Sequence, residues 1–247
     1  MEEKSTYIYG MHPVIEAVRS GRKIEKVLLR QGLEGPLARE LAVLLAENDI
    51  PRQFVPSEKL FSIVRSGAHQ GVVAYLAKVD YVDIEVFVNN ALARSTSPLV
   101  MILDGVSDVR NLGAIARTLE VAGGQGIVVG AKGGAAINAE AIKSSAGALL
   151  RLDCCKVSNL RLAVFALRQA GFRIVAASEK ASSLIYDVDL TGPLAIVMGS
   201  EGSGVSKGIL ELCDDQARIH QSGEIGSLNV GVAAAVVAFE AVRQRIN

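Results

Sequence analysis

Leu99-Val-Met-Ile-Leu103-Asp-Gly-Val-Ser-Asp108-Val-Arg-Asn111-Leu-Gly-Ala-Ile-Ala-Arg117-Thr118 is the stretch that decides the fold. Five consecutive apolar residues run into a polar turn containing Gly105, and a helical pattern follows from near Asn111. Three more short apolar runs sit between helix-like segments, at Ile127–Val129, Ile174–Ala177 and Leu194–Met198. Continuous apolar runs alternating with helices predict strands buried on both faces of a parallel sheet, hence an α/β domain. A last helix, from Asn229 to about Arg243, is rich in Ala and Val. Side chains that small allow close packing on another helix, either in the same core or in a second subunit.

Working outward toward the N-terminus, residues 80–98 change character. An amphipathic stretch (Ile84, Phe87, Val88, Leu92) is followed by Ser95-Thr-Ser-Pro98, which reads as a linker over 81–98. Residues 1–80 form a smaller α/β pattern of their own. Strands are predicted at Tyr7–Tyr9, Val27–Leu29 and Gly71–Leu76, with helices entering at Pro13, over Gly35–Asn48 and from a Ser57 N-cap. The C-terminal domain then covers 99–247.

The composition narrows the function classes. A chain of 247 residues, half of them hydrophobic, can bury a sizeable core and is not disordered. Its longest apolar stretch, Val230 to Phe239, is too short to span a membrane, and the N-terminus MEEKSTYIYG resembles no targeting peptide. Three cysteines (Cys154, Cys155, Cys213) form no disulfide framework, which fits a reducing, cytoplasmic setting. Three scattered histidines (His12, His69, His220) give no metal-site spacing. The 26 basic and 26 acidic side chains cancel, and neither half carries a basic tail. Any polyanion site is therefore a local arrangement. One local basic cluster (Arg19, Arg22, Lys23, Lys26, Arg30) is a candidate polyanion contact or simply a solvated face.

Open α/β sheets bind ligands at the carboxyl ends of their strands, and three loops there stand out. In the first, Asn111 and Arg117 could orient a ribose and grip a phosphate, or could be a helix N-cap and a solvated arginine. In the second, Gly199-Ser-Glu201-Gly202-Ser-Gly204, glycines allow close backbone approach. The spacing is neither a dinucleotide fingerprint nor a P-loop, and Glu201 suits a cationic or hydroxyl-rich ligand. The third, Ile219-His-Gln-Ser-Gly-Glu-Ile-Gly-Ser227-Leu228-Asn229, enters the last helix, with Ser227 placed to cap it and Asn229 in its first turn.

Taken in order, DGVSDVRNLGAIARTLEVAG (104–123), IVMGSEGSGVS (196–206) and IGSLNVGVAAAVVAFEAVR (225–243) resemble the three motifs of the SpoU (TrmH) class of RNA ribose 2′-O-methyltransferases. YIYGMHPVIEAVRSG (7–21) and HQGVVAYL (69–76) resemble the substrate-binding domain, related to ribosomal proteins L7Ae and L30, that precedes the catalytic domain in the rRNA-modifying branch. The resemblance implies a SPOUT-type parallel-sheet domain with a trefoil knot, S-adenosyl-L-methionine as cofactor, and a homodimer formed through the C-terminal domain. It places Gly199, Ile219 and Leu228 on the cofactor, with Glu201, Gly202, Ser227 and Asn229 shaping that site. It assigns Asn111 and Arg117 to the target ribose, so that Asn111, Arg117, Glu201, Ser227 and Asn229 form the catalytic set. Arginine stays protonated, so Arg117 is expected to orient the ribose and stabilise the developing alkoxide rather than act as base.

The chain departs from the family pattern at Val109, where a Pro is usual, at His220-Gln221 in place of Pro-Met, and at Gly231, where a Ser is common. The expected activity is guanosine 2′-O-methylation of large-subunit (23S) ribosomal RNA. A tRNA guanosine methyltransferase and a catalytically silent RNA-binding module are the alternatives, and a nucleotide-dependent oxidoreductase is disfavoured by the absent fingerprint. Zero net charge predicts modest non-specific RNA binding, with selectivity arising from shape.

Overall fold

The computed structural model describes residues 7–22, 24–48, 50–65, 67–76, 81–224 and 226–246; Lys23 of the basic cluster and Ile225 of the third motif lie outside them. The chain divides into two compact units, residues 1–80 with 137–151, and residues 81–136 with 152–247. No described helix is long and apolar enough to cross a membrane.

The first unit runs β1 (Tyr7–Tyr9), α1 (Met11–Arg19), β2 (Ile24–Arg30), α2 (Pro36–Glu47), β3 (Arg52–Val55), α3 (Ser57–Val64) and β4 (Val72–Leu76). Its strands form a mixed sheet in the order β1-β4-β2-β3, with β2 and β3 parallel and the other pairs antiparallel. On one face, Leu60 of α3 packs against Leu28, Val55 and Val73. The helix expected to enter at Pro13 starts two residues earlier, at Met11. Proline is tolerated in that first turn because the N–H it lacks would have no intrahelical partner. Ser57 does not cap α3; the N-cap position is Pro56, which lacks a capping side chain.

The segment 137–151 belongs with this unit. It carries a short helix, α6 (Ala139–Ser144), capped by Asn138. Lys143 of α6 sits 4.5 Å over the Tyr9 ring, Arg22 donates to the Leu149 carbonyl at 3.2 Å, and Arg151 pairs with Glu16. Ile142 and Leu149 are fully buried.

The second unit contains α4 (Ile84–Arg94), β5 (Leu99–Asp104), α5 (Val109–Val121), β6 (Gly126–Gly130), β7 (Asp153–Val157), α7 (Leu160–Gln169), β8 (Arg173–Ala177), β9 (Ser183–Leu184), β10 (Leu194–Gly199), α8 (Lys207–Leu210), β11 (Asp215–Arg218) and α9 (Val230–Arg245). Seven strands, every pair parallel, lie in the order β7-β6-β5-β10-β8-β11-β9. The four apolar runs of the sequence are its central strands. Alternate residues of each face opposite layers: Val100, Ile102, Ala195 and Val197 pack with Phe87 of α4 and Val164 and Leu167 of α7. On the other side α5 and α9 pack on each other and on the sheet.

Residues 81–98, expected as a linker, are instead part of this unit. Val82 donates its N–H to Cys154 O at 3.0 Å and bridges β7, and α4 buries Phe87, Val88 and Ala91. A Cβ on Gly126 would lie 2.4 Å from the Phe87 ring, so the glycine makes room for this anchor. The polar Ser95-Thr-Ser-Pro98 that suggested a linker is only the short turn from α4 to β5. Cys154 and Cys155 are buried in β7, and burial pushes the Cys155 thiol up to about 11 and the Cys213 thiol up to about 12. Such thiols stay protonated at neutral pH and are poor nucleophiles.

Candidate active site at the carboxyl edge of the parallel sheet

The chain runs outward from β5 to β6 and β7, then crosses over to β8, and β10 returns to lie between β5 and β8. The strand order reverses between β5 and β10, which is where such sheets open a crevice. The register pairs Asp104 with Gly199, so the first and second loops leave the sheet side by side. Asp104 Oδ2 accepts the Ser206 N–H at 2.7 Å and ties the two loops together.

In the first loop, Asp108 is the N-cap of α5, its Oδ1 accepting from Arg110 N at 2.8 Å and Asn111 N at 3.0 Å. These backbone bonds, with Asn111's the larger effect, hold the Asp108 carboxyl below the usual carboxylate range. Asn111 therefore sits in the first turn with its side chain free for another task. In the third loop the cap also differs from expectation. Asn229, not Ser227, caps α9, accepting from Gly231 N at 2.9 Å and Val232 N at 3.3 Å. The geometric reason is reach: an N-cap oxygen serves the N–H groups two and three residues on, which for Ser227 are Asn229, outside the helix, and Val230, its first residue.

The side chains of the three loops meet in a closed ring. Asn111 Nδ2 donates to Glu201 Oε1, and Asn229 Nδ2 donates both to Asn111 Oδ1 and to Glu201 Oε1, each at 2.9 Å. Counting donors and acceptors separates their roles. Asn229 spends both amide hydrogens on the ring and its carbonyl on the helix cap, so it is a scaffold. Asn111 retains one N–H, and Glu201 retains Oε2, for a ligand.

Beside the ring lies an open cleft of about 220 Å³ over the ends of β8, β10 and β11. Gly199, Glu201 and Gly202 line it from the second loop, and Ile219, Ser227 and Leu228 from the third. Gly199 is held by its own loop: a Cβ there would fall 2.1 Å from the Gly204 carbonyl carbon, where Ser200 and Gly204 exchange backbone hydrogen bonds. Gly202 faces open space. His220 bonds Ser222 through Nε2 at 3.1 Å and does not line the cleft. Gly231 lies at the close approach of α9 to α5, its virtual Cβ 3.0 Å from that of Ala114, so the absent serine side chain has a packing explanation.

Arg117 is not brought to the ring. Six residues past Asn111 is about 240° around the helix, a different face. Its side chain is exposed, with no hydrogen-bond or ion-pair partner among the described residues. Sequence reading also passed over Ser178, Glu179 and Lys180, which come directly after β8 and line the cleft. The rule that picked out the other loops, inspection of the residues at the carboxyl end of each parallel strand, would have found them.

The SpoU rRNA methylase family matches residues 98–239, and the RNA 2′-O ribose methyltransferase substrate-binding family matches residues 7–82. The chain belongs to the SpoU rRNA methylase family. Among its SpoU relatives, the 23S rRNA (guanosine-2′-O-)-methyltransferase RlmB of Pseudomonas putida is 36% identical over 96% of both chains. A Staphylococcus saprophyticus protein assigned to the TrmH family of tRNA/rRNA methyltransferases is 35% identical over 96% of this chain and 95% of its own. The SpoU methyltransferase AviRb of Streptomyces viridochromogenes, solved in complex with AdoMet, superposes with a TM-score of 0.81 at 25% identity, covering 97% of this chain and 90% of AviRb.

Proposed function

We propose that this SpoU protein transfers a methyl group from S-adenosylmethionine to the ribose 2′-hydroxyl of a guanosine in 23S ribosomal RNA, as a homodimer formed through its knotted C-terminal domain. The observation that carries the reading is the Asn111–Glu201–Asn229 ring at the rim of the cleft. The name of the Pseudomonas putida relative supports guanosine and 23S rRNA, and the AdoMet complex of AviRb supports the cofactor. Val232 and Phe239, half-exposed on α9, offer apolar surface for a second copy.

The residues present fit the cofactor. The cleft combines apolar walls (Met198, Ala217, Ile219, Leu228) for an adenine ring, loop backbone at Gly202 that a side chain does not obstruct, and a carboxylate, Glu201, suited to hydroxyls or a cation. When bound, the cofactor supplies an electrophilic methyl on a sulfonium. The chain's task is then to present the ribose hydroxyl in line and favour loss of its proton. Asn111 directs its remaining N–H at the ribose, held in orientation by Glu201 and Asn229. Ser227, on the cleft wall before α9, offers its hydroxyl to the ligand in the same site. Arg117, turned away from the ring on the outer face of α5, is assigned to the RNA backbone, which it grips with a two-pronged guanidinium, rather than to the attacking oxygen.

The test is methyl transfer from labelled S-adenosylmethionine to deproteinised ribosomal RNA and to tRNA, followed by mapping of protected riboses. Labelling of 23S rRNA at a guanosine is expected; labelling of tRNA alone would overturn the choice of substrate. The double role of Asn229 gives a second prediction. Asn229→Ala should lose about 1 kcal/mol of stability with the cap, and Asn229→Ser, which caps without placing a second carboxylate beside Glu201, should recover most of it. Neither should recover methyl transfer, because both remove the Nδ2 donors. Thermal melts and the same transfer assay separate the two effects.

A further inference from the structure

The first unit holds a concavity that the methyl-transfer chemistry does not use. It is about 630 Å³ in volume and open to solvent, with Arg30, Glu58, Phe61, His69 and Gln70 among its lining residues. Three observations mark it as more than a surface dent. Phe61 is 54% exposed, a large aromatic on a helix whose opposite face already fills the core through Leu60. The turn that forms its floor is strained at Gln70, whose φ is 51°, while Gly71 beside it takes φ 84° as glycine freely does. Residues held in that region cost free energy and gather at binding sites. The strain is maintained by specific bonds, Gln70 Oε1 accepting from Met11 N at 2.9 Å and His69 Nδ1 accepting from Gly71 N at 3.0 Å.

The second of these bonds fixes the imidazole tautomer. With Nδ1 as acceptor, His69 presents Nε2–H as a donor, and burial, then the nearby Arg30 charge, lowers its pKa and keeps it neutral. Of the basic cluster, Arg19 pairs with Glu40, Arg22 bonds the Leu149 carbonyl and Lys26 lies over Tyr75. Arg30 alone of the described members reaches the concavity, with no ion-pair partner among the described residues.

We propose that this concavity captures one unpaired nucleotide of the RNA substrate: its base stacks on Phe61, its edge meets the fixed donor of His69 and the carboxylate of Glu58, and its phosphate pairs with Arg30. This deepens the methyl-transfer reading and rests on it for the identity of the substrate. A duplex cannot use the site, because its bases are stacked and its edges paired; unpaired bases splayed onto aromatic rings are how single-stranded RNA is read. A concavity offering one stacking face, one cation and a few hydrogen-bonding groups also matches a neutral protein that selects RNA by shape.

The experiment uses the full chain and a labelled 12-nucleotide single-stranded RNA of mixed sequence, beside the same sequence as a blunt duplex. By fluorescence anisotropy the wild type is expected to prefer the single strand. Phe61→Ala should weaken that binding about tenfold, as loss of one stacked base does, and Phe61→Trp should restore it. Arg30→Gln should weaken binding and reduce the salt slope by about 0.7, the value for one phosphate on a single strand. Neither change should move the thermal midpoint or S-adenosylmethionine binding. Unchanged affinity in both variants, or no preference for the single strand, would overturn the proposal. If the wild type methylates ribosomal RNA while Phe61→Ala and Arg30→Gln leave KM for RNA unaltered, the pocket is refuted and methyl transfer stands. If Phe61-dependent binding is found but no RNA is methylated, the reverse holds.

Discussion

Arg117→Ala is expected to lower kcat/KM for ribosomal RNA by about ten- to a hundredfold, the scale of losing a charged hydrogen bond to a backbone phosphate, about 1.5–3 kcal/mol. The same variant should bind S-adenosylmethionine and melt as the wild type does. This separation has a structural cause: the guanidinium is exposed and makes no described internal contact, so removing it leaves the fold undisturbed. Arg117→Lys should not rescue turnover, because a point charge lacks the planar fork that grips two oxygens at once. Near-normal turnover of the lysine variant would show that only charge is needed there. A fall in thermal midpoint would show that the residue has a structural partner.

Gly199→Ala should be the most damaging single methyl group in the second unit. The added carbon would lie 2.1 Å from Gly204 C and 2.2 Å from Val205 N, both backbone atoms that cannot rotate away. Gly199 ends a central strand paired with β5 on one side, with β8 alongside the rest of the strand, so the loop has to open instead. Overpacking of this kind costs about 1–3 kcal/mol, a drop of several degrees in midpoint for a chain of this size. Opening the loop also moves Glu201 away from Asn111 and Asn229, so cofactor binding and methyl transfer should fall together. Gly202→Ala, in open space three residues on, is the matched control and should melt like the wild type. Equal melting of the two variants would refute the packing argument.

These contrasts show how much was legible before folding. The buried strands β5, β6, β8 and β10 announced themselves because both faces of each are covered, leaving unbroken apolar runs. β7 (Asp-Cys-Cys-Lys-Val) and β11 (Asp-Gln-Ala-Arg) lie toward the sheet's margins and carry polar residues, such as Asp215 bonded to Arg173 at 2.8 Å, so no run betrays them. Both capping residues were misplaced by a short distance, because Asp108 and Asn229 stand near other residues equally able to cap. The meeting of Asn111, Glu201 and Asn229, up to 118 positions apart, depends on strand order, which local patterns do not encode. The offset of Arg117 from Asn111 was available from helix arithmetic alone.

The passage of residues 137–151 into the first unit has a consequence for synthesis. Chains emerge from the ribosome N-terminus first, and domains generally fold as they are completed, at about 5–20 residues per second. A continuous N-terminal domain would be complete once Asp80 had emerged. Here Ile142 and Leu149 belong to that unit's buried interior, and Arg151 closes an ion pair with Glu16. The nascent unit therefore waits for roughly 70 further residues, on the order of 4–14 s at those rates. During that interval β5 and β6 are already made, and the sheet they belong to still lacks its central partner β10. The first unit thus closes only once residue 151 has emerged, and the second later still, when β10 and α9 are made.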